Sequence, residues 1–330
     1  MDRVLKLLQQ TEGYLSGQAI SEQLGVSRTA VWKHIKQLQQ AGYEIDSRTN
    51  RGYRLVRSPD LLTAQAVEQA LADHPWADLV RVLPEVDSTN NLAKQLGSAG
   101  APAGTVVLAD RQTAGRGRLG KRFCSEAGMG VYLSALLRPN LRPDALPPVT
   151  AMVAVAVCDA VQACCGSRPQ IKWTNDIILR GRKICGILTE LSVEAELGMI
   201  SYLVVGAGVN VRQQAADFPP ELREVAGSLY ELTGVLVPRA RLAAEMIRAL
   251  SRMEQALDGD WRSWMDRYRQ DCLTVGKEIK ILRDGTERRA RCEDLDETGA
   301  LLVIYPDGTR ERIISGEVSV RGLYGYLPEP

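Results

Sequence analysis

The chain of 330 residues has no Cys-x-x-Cys pair and no long unbroken apolar run, and these absences remove whole classes of protein from consideration. Its seven cysteines, at 124, 158, 164, 165, 185, 272 and 292, show no zinc-ligand spacing, and an odd count in a chain of this length does not build a disulfide framework. They read as reduced, mostly buried thiols of a cytoplasmic protein, and no metal site is expected. The most apolar stretch, Val149 to Cys165, is interrupted by Asp159 and Gln162, and Met1-Asp2-Arg3-Val4-Leu5-Lys6 lacks the apolar region of a signal peptide. Neither a membrane span nor a leader is expected. Internal repeats and low-complexity segments are also missing. Phenylalanine occurs only twice, as Phe123 and Phe218.

Charge is present in both signs, but unevenly. The formal total is +1, whereas residues 1–57 hold nine Lys/Arg against five Asp/Glu, a net of +4 that leaves −3 for the remainder. In this basic segment Val4, Leu7 and Leu8 have helical spacing, and Ser16 can cap a second helix through Ala19, Ile20 and Leu24. After the turn at Leu24-Gly25-Val26, Ser27 caps a third helix. Its apolar positions Val31, Ile35 and Leu38 leave Arg28, Thr29, Lys33 and Lys36 largely on the other side. Two helices joined by a short Gly-containing turn make a helix-turn-helix. Tyr43–Asp46 and Tyr53–Val56 then alternate like two strands around a basic tip, Ser47 to Gly52, which reads as a wing. A helical interaction module with a charged hairpin would share this pattern. Duplex binding accounts in addition for the basic tip and the basic helix, and so assigns Ser27, Arg28, Thr29, Lys33, Arg48 and Arg51 to DNA.

Ser58-Pro59-Asp60 reads as a linker, and residues 63 to 270 alternate helical and strand-like stretches. Helices are expected near 63–72, 90–96, 146–165 and 239–257, and strands near 80–86, 105–109, 131–137, 184–190 and 201–209. From about Val275 the pattern changes to short alternating runs with turn signals at Asp284-Gly285, Thr298-Gly299 and Asp307-Gly308. A small barrel of five or six strands fits.

Within the α/β body, Gln112-Thr113-Ala114-Gly115-Arg116-Gly117-Arg118-Leu119-Gly120 places arginines between glycines after a strand-like run. Such a loop can fold around a phosphate with amides and guanidinium groups turned inward; a mobile, solvated basic loop would look the same. The stretch matches Gly-x-Gly-x-x-Gly, but a dinucleotide fingerprint must open directly into a helix. Here the loop runs on through glycine-rich sequence into another strand. Glu85 to Asn91 passes from strand to helix, where Ser88 reads first as a helix cap. Lys172-Trp173-Thr174-Asn175-Asp176 sits at a turn between apolar runs, which an ordinary Asn-Asp hairpin turn would also explain. Lys183 enters the core at the start of a strand, costly without an anionic partner. Val204-Val205-Gly206-Ala207-Gly208-Val209-Asn210 is a buried strand whose two glycines mark close approach of a ligand or backbone.

These segments together resemble the biotin protein ligases, and with the N-terminal module the bifunctional ligases that also repress the biotin operon. The resemblance runs end to end and is carried by Gly115-Arg116-Gly117-Arg118 with Gln112, by Lys172 to Asp176, and by Lys183-Ile184-Cys185-Gly186-Ile187-Leu188-Thr189-Glu190. Ser88-Thr89-Asn90, Gly206 to Asn210 and Ile314-Ser315-Gly316-Glu317-Val318 support it. Thr174 stands where the family has Pro, and Phe123 where it often has Trp. The resemblance implies an α+β multidomain chain: a winged helix-turn-helix over 1–60, an α/β catalytic domain related to class II aminoacyl-tRNA synthetases over 61–272, and an SH3-like β-barrel over 273–330. It implies formation of biotinyl-5′-AMP from biotin and ATP with Mg²⁺, then transfer of biotin to a lysine of the biotin carboxyl carrier protein of acetyl-CoA carboxylase.

By the same resemblance, Lys183, Arg116 and Arg118 are catalytic. Ser88, Thr89, Asn90, Gln112, Arg116, Gly117, Arg118, Lys183 and Gly186 bind biotin, and Lys172, Asn175, Asp176 and Asn210 hold the adenylate. Segments 112–126 and 212–226 order over ligand. Operator DNA and a ligand-promoted homodimer are the implied partners. A ligase without a regulatory role, or a biotin-sensing transcription factor that has lost catalysis, are the alternatives; lipoate ligase is a weaker one, since it would not call for the winged helix or the Lys183 segment.

Overall fold

A computed structural model describes residues 3–40, 42–57, 59–146, 148–283 and 286–320. The chain divides into two compact units, Met1–Leu61 and Leu62–Pro330.

In the first unit, helices α1 (Arg3–Gln10), α2 (Gly17–Leu24) and α3 (Arg28–Gln40) precede a hairpin of β1 (Glu44–Arg48) and β2 (Gly52–Arg57). The capping signals hold. Ser16 Oγ accepts from Ala19 N–H at 3.0 Å and Ser27 Oγ from Ala30 N–H at 3.2 Å, each satisfying one orphan donor of the first turn. Gly25, at φ 65°, closes α2 in the left-handed conformation. Val31, Ile35 and Leu38 of α3 join Val4, Leu5, Leu8, Ile20 and Ile45 in one core. The wing is held to the helices through Tyr53, which exchanges backbone hydrogen bonds with Leu15 at 2.9 Å in both directions. The neighbouring Gly52, at φ 101°, has no room for a side chain, since a Cβ would meet Leu15 O at 2.1 Å. The wing tip is tighter than the sequence suggested, because Ser47 and Arg48 belong to β1.

The second unit begins with α4 (Ala64–Leu71), β3 (Val80–Val86), α5 (Thr89–Ser98), β4 (Thr105–Gln112), β5 (Gly130–Leu137) and α6 (Val149–Cys165). It continues through β6 (Gln170–Lys172), β7 (Asp176–Leu179), β8 (Arg182–Val193), β9 (Ile200–Asn210), α7 (Leu229–Thr233), α8 (Arg239–Leu257) and α9 (Arg262–Asp271). Its seven-stranded sheet has the order β3-β4-β5-β9-β8-β7-β6, parallel only between β3 and β4. One face packs α6 and α8 over Val106, Leu108, Leu133 and Val205. The other packs α5 over Val107, Leu136 and Val204. The near-continuous apolar runs of β4 and β9 are thereby explained, as both faces are covered. The short strands β6 and β7 form the hairpin that an ordinary turn at Lys172–Asp176 would make, although neither was placed as a strand from its pattern, and the helices α7 and α9 were not expected. The strands are too short to show a period. In α9 the buried Trp264, Met265 and Tyr268 are separated by enough charge to mask its apolar face.

Strands β10 (Glu278–Arg283), β11 (Thr286–Leu295), β12 (Leu301–Ile304), β13 (Arg310–Ile313) and β14 (Glu317–Val320) form an antiparallel sheet of order β13-β12-β11-β10-β14. The expected turns at Thr298-Gly299 and Asp307-Gly308 join its strands, with Gly299 and Gly308 at φ 78° and 86°. The turn at Asp284-Gly285 lies outside the described residues, as does Ser58 of the linker. Apolar residues of this sheet, among them Ile279, Cys292 and Leu301, belong to the same buried cluster as Trp173 and Ile177 of the larger sheet.

Candidate active site

The site grows from a flat spot in the large sheet. Gly186 of β8 and Gly208 of β9 face each other in register, and Gly208 in turn faces Tyr132 of β5. Two glycines side by side remove the side chains from that patch. The Phe123 ring lies on it, 2.6 Å from where a Gly208 Cβ would be and 3.4 Å from that of Gly186, with its edge to Tyr132. One step along β9, Gly206 admits the Asn90 amide, whose Oδ1 would meet a Cβ at 2.0 Å.

Around this floor the start of α5 is tied to β4. Gln112 Oε1 accepts from Thr89 N–H (2.8 Å) and from the Thr89 hydroxyl (3.1 Å), while Gln112 Nε2 donates to Ser125 Oγ at 2.8 Å. Ser134 donates to Asn90 Oδ1 at 2.6 Å, and Asn90 Nδ2 donates to Leu188 O and Glu190 Oε2. Ser88 occupies the N-cap position but makes no side-chain capping bond, so the capping role expected from sequence is not realised. The first helical amide has found Gln112 instead. Ser88, Thr89, Asn90, Gln112 and Gly186 line a small cavity of about 30 Å³.

A larger cavity of about 430 Å³ adjoins it, lined by Arg118, Lys172, Asn175, Asp176, Lys183 and Asn210, with Gly117 from the arginine loop. Arg116, Phe123 and Gly186 line both cavities. Every residue that the sequence assigned to biotin or the adenylate therefore lines one of the two. Lys183 has the anionic partner its burial required: Nζ is 2.6 Å from Asp176 Oδ1. Its backbone is pinned as well, N–H donating to Val225 O at 2.8 Å and its carbonyl accepting from Gly227 N–H at 3.0 Å. Lys172 faces Asp176 across the β6–β7 hairpin. Burial pushes its ammonium below the usual lysine value, with Asp176 and Glu317 opposing that effect.

The arginine loop differs from its expected form. A single 3-10 turn spans Arg118–Gly120, where no helical turn was expected, and Leu119 sits within it at φ 53°. The amides of Gly117, Lys121 and Phe123 are spent on carbonyls of the loop itself, at 2.7, 3.1 and 2.9 Å, and so are not turned inward. What the loop offers is guanidinium. Arg116 donates to Asn91 Oδ1 (2.9 Å) and Glu190 Oε1 (3.3 Å), whereas Arg118 donates to Thr174 Oγ1 and to Asn175 Oδ1 (3.1 Å). Asn210 is also engaged: Nδ2 donates to Gly227 O at 3.0 Å and Oδ1 accepts from Gln213 Nε2. Its amide braces the segment after β9.

Several contributors were not singled out as site residues from sequence. Glu190 collects Asn90, Lys94 (2.8 Å) and Arg116 on one carboxylate. Gly316, Glu317 and Ser319 bring the C-terminal sheet into the wall of the larger cavity, and Glu317 pairs with Lys121 of the arginine loop at 2.5 Å. The quoted Ile314–Val318 run was the available signal, but nothing local told which cavity it would reach. Phe218 is buried at the same wall.

In the first unit Arg28, Thr29 and Lys33 are exposed on α3, together with Trp32, which is 53% exposed. Ser27 spends its hydroxyl on the cap. Arg51 is exposed at the wing tip, while Arg48 lies over the Tyr14 ring and 3.4 Å from Asp46. Among the described residues there is no cluster of three or more His, Cys, Asp or Glu suited to a metal ion, and no helix is long and apolar enough to cross a membrane.

Residues 1–54 match a helix-turn-helix (HTH) domain family, residues 82–210 the biotin/lipoate A/B protein ligase family, and residues 274–321 the biotin protein ligase C-terminal domain. The chain is 35% identical over 323 residues to the bifunctional ligase/repressor BirA of Bacillus spizizenii, covering 93% of this chain and 94% of that one. Against the Escherichia coli protein of the same name the identity is 28% over 308 residues, covering 93% and 92%. Among solved structures, the biotin protein ligase from Aquifex aeolicus in complex with biotin and ATP superposes with a TM-score of 0.62 at 30% identity, over 73% of this chain and 98% of that chain.

Proposed function

The chain belongs to the biotin protein ligases, in the group of bifunctional ligase/repressors, and from that premise we infer that it activates biotin with ATP and passes it to a protein lysine. Biotin's carboxylate oxygen attacks the α-phosphorus, the bond to the β-phosphate oxygen breaks, and pyrophosphate leaves. The ε-amine of a carrier lysine then attacks the anhydride carbonyl, giving an amide, AMP and a proton. No protein nucleophile is needed, so the enzyme contributes positioning and charge stabilisation. The acceptor is a biotin carboxyl carrier domain, as of acetyl-CoA carboxylase, and the reaction belongs in the cytoplasm. Mg²⁺ enters with ATP as its phosphate complex.

The observation that carries this reading is the pair of adjoining cavities with Arg116 and Gly186 common to both and Lys183 in the larger. The small one, walled by Thr89, Asn90 and Gln112, offers the donors and acceptors that the ureido head needs, and the head gains its space when the Phe123 ring leaves the Gly186–Gly208 floor. In the large one Lys183 meets the carboxylate and α-phosphate, Arg118 the phosphate, and Lys172 and Asp176 orient the nucleotide. Arg116, now on Asn91 and Glu190 and 45% exposed, would exchange those partners for the ligand as it enters. Retention of Arg116, Arg118, Lys172, Asp176 and Lys183 counts against a sensor without catalysis. Incubation with biotin, ATP, Mg²⁺ and a carrier domain should add the mass of one biotin to the carrier; no added mass refutes the ligase reading.

The first unit supports the second activity. Exposed Arg28, Thr29 and Lys33 on a capped recognition helix, with Arg51 on a wing, suit the major groove and an adjacent phosphate backbone. The partner is operator DNA governing biotin synthesis, with biotinyl-AMP as corepressor acting through a homodimer.

A further inference from the structure

Thr174 stands where the family's Lys-Trp-Pro-Asn-Asp has proline, and the structure gives its hydroxyl a task that proline could not perform. The surrounding turn is rigid. Trp173 N–H donates to Thr274 Oγ1 at 3.1 Å, its indole N–H donates to Gly299 O at 2.8 Å, and the buried Tyr268 hydroxyl donates to Thr174 O at 3.1 Å. Asn175 is fixed by bonds in both directions with Ile187, at 2.9 Å from its side-chain amide and 3.1 Å to its carbonyl. On this frame Thr174 Oγ1 lies 3.3 Å from Asn175 Oδ1 and accepts from Arg118 Nη1, which also reaches Asn175 Oδ1 at 3.1 Å. The arginine comes from a loop tied to the body at its start, where the Thr113 and Ala114 amides donate to Val86 O at 3.0 Å and Asp87 O at 2.8 Å; beyond them the amides of Gly117, Lys121 and Phe123 bond within the loop, so side chains help to decide where that stretch rests.

We propose that Thr174 is a positioning residue: its hydroxyl holds the Arg118 guanidinium at the large cavity before ligand arrives, so that the loop retains the finished biotinyl-adenylate. The proposal rests on the ligase reading and on Arg118 meeting the phosphate. A guanidinium held in place by a neutral acceptor keeps its full charge for the phosphate, and the ordering cost is met by the protein ahead of binding. Asn175 alone would give the arginine one acceptor; Thr174 supplies the second and fixes its direction. Biotin itself, at the Thr89 and Gln112 end, should be indifferent to the change.

The test compares the full chain with Thr174→Val, which keeps the shape and removes the hydroxyl, and with Thr174→Ser, which restores it. Adenylate is formed from biotin and Mg·ATP without carrier, and its escape is followed by trapping with free amine, beside the KM for biotin. Thr174→Val should release adenylate about tenfold faster, the loss of one charge-assisted hydrogen bond, with the biotin KM unchanged. Thr174→Ser should behave like the parent. In an Arg118→Ala background Thr174→Val should add nothing, because the two groups act as one unit. Escape at the parental rate from Thr174→Val, or an equal acceleration in the Arg118→Ala background, overturns the role given to Thr174 alone. If Arg118→Ala itself leaves escape unchanged while biotinylation proceeds, the phosphate role of Arg118 fails and this proposal with it. Absence of any adenylate from the parent would instead overturn the ligase reading.

Discussion

Lys183 Nζ and Asp176 Oδ1 lie 2.6 Å apart on neighbouring strands, and Asp176 also faces Lys172 across a hairpin. One carboxylate thus steadies two ammonium groups at the wall of the large cavity. The lysine side chain is 33% exposed, so the pair is open to the cavity and to an arriving anion. A cation held this way needs little reorganisation when negative charge builds on the phosphoryl oxygens, which is the condition for a large electrostatic contribution.

Lys183→Met should therefore lower the rate of adenylation by roughly two to three orders of magnitude, as for loss of a transition-state donor. The strand should survive, since Met keeps the length and Asp176 retains Lys172 nearby. Pyrophosphate release together with a thermal melt separates the two effects. Parental adenylation by a folded variant would make Lys183 structural.

Lys172 offers a pH signature. Burial moves its ammonium below the usual 10.5, against Asp176 and Glu317, while Lys183 and Lys121 add to the downward push. A lowered lysine loses its proton earlier as pH rises. If its charge serves the nucleotide, the alkaline limb of the adenylation profile should fall below pH 10.5. Arginine stays charged throughout that range, so Lys172→Arg should move the limb upward if it retains activity. Identical limbs in parent and an active variant would remove Lys172 from the reaction.

Gly206→Ala tests the floor. Its Cβ would lie 2.0 Å from Asn90 Oδ1, and that amide is held by Ser134, Leu188 and Glu190 and cannot yield cheaply. Overpacking at such a point should cost about 1–3 kcal/mol of stability and weaken biotin binding. Gly208→Ala meets the Phe123 ring at 2.6 Å, and a ring on a surface loop can move. Its melting temperature should fall less. A reversed order would mean that the Asn90 shelf is softer than its hydrogen bonds imply.

Much of this was legible in the chain. Ser16, Ser27 and Gly25 act locally, and local chemistry sets helix ends. The long strands around Val106, Leu133 and Val205 were visible because burial on alternate faces leaves a continuous apolar pattern. The glycines at 206 and 208 signalled close approach, and that approach is real. What escaped was every choice between distant partners. Nothing near Ser88 shows that Gln112 will serve the first amide of α5, nor that Arg116 and Arg118, two residues apart, will turn to Glu190 and to Thr174. Glu317 reaches the cavity only because β14 closes the C-terminal sheet beside β10. Such pairings depend on topology, which composition and period do not carry.

The remaining prediction joins the two units through ligand. The first unit carries a net charge of only +4 over residues 1–57, so one copy makes few phosphate contacts and should bind DNA weakly, with affinity falling steeply as salt rises. Two copies related by a twofold axis could engage two half-sites at once. A ligand that favours the dimer then strengthens operator binding, and by linkage only to the extent that it binds dimer better than monomer. Biotinyl-adenylate should do so, because closing the 112–126 loop over the phosphate alters the surface beside the catalytic sheet. Unmodified carrier would relieve repression by consuming the adenylate. Sedimentation and operator binding, each with and without adenylate, measure the coupling, and Lys33→Ala should reduce the salt slope by about one without changing dimerisation. Removal of residues 1–60 should abolish DNA binding while adenylation persists. Adenylate that leaves both oligomeric state and operator affinity untouched would refute the switch, and a truncated chain that still forms adenylate would leave the ligase reading standing without it.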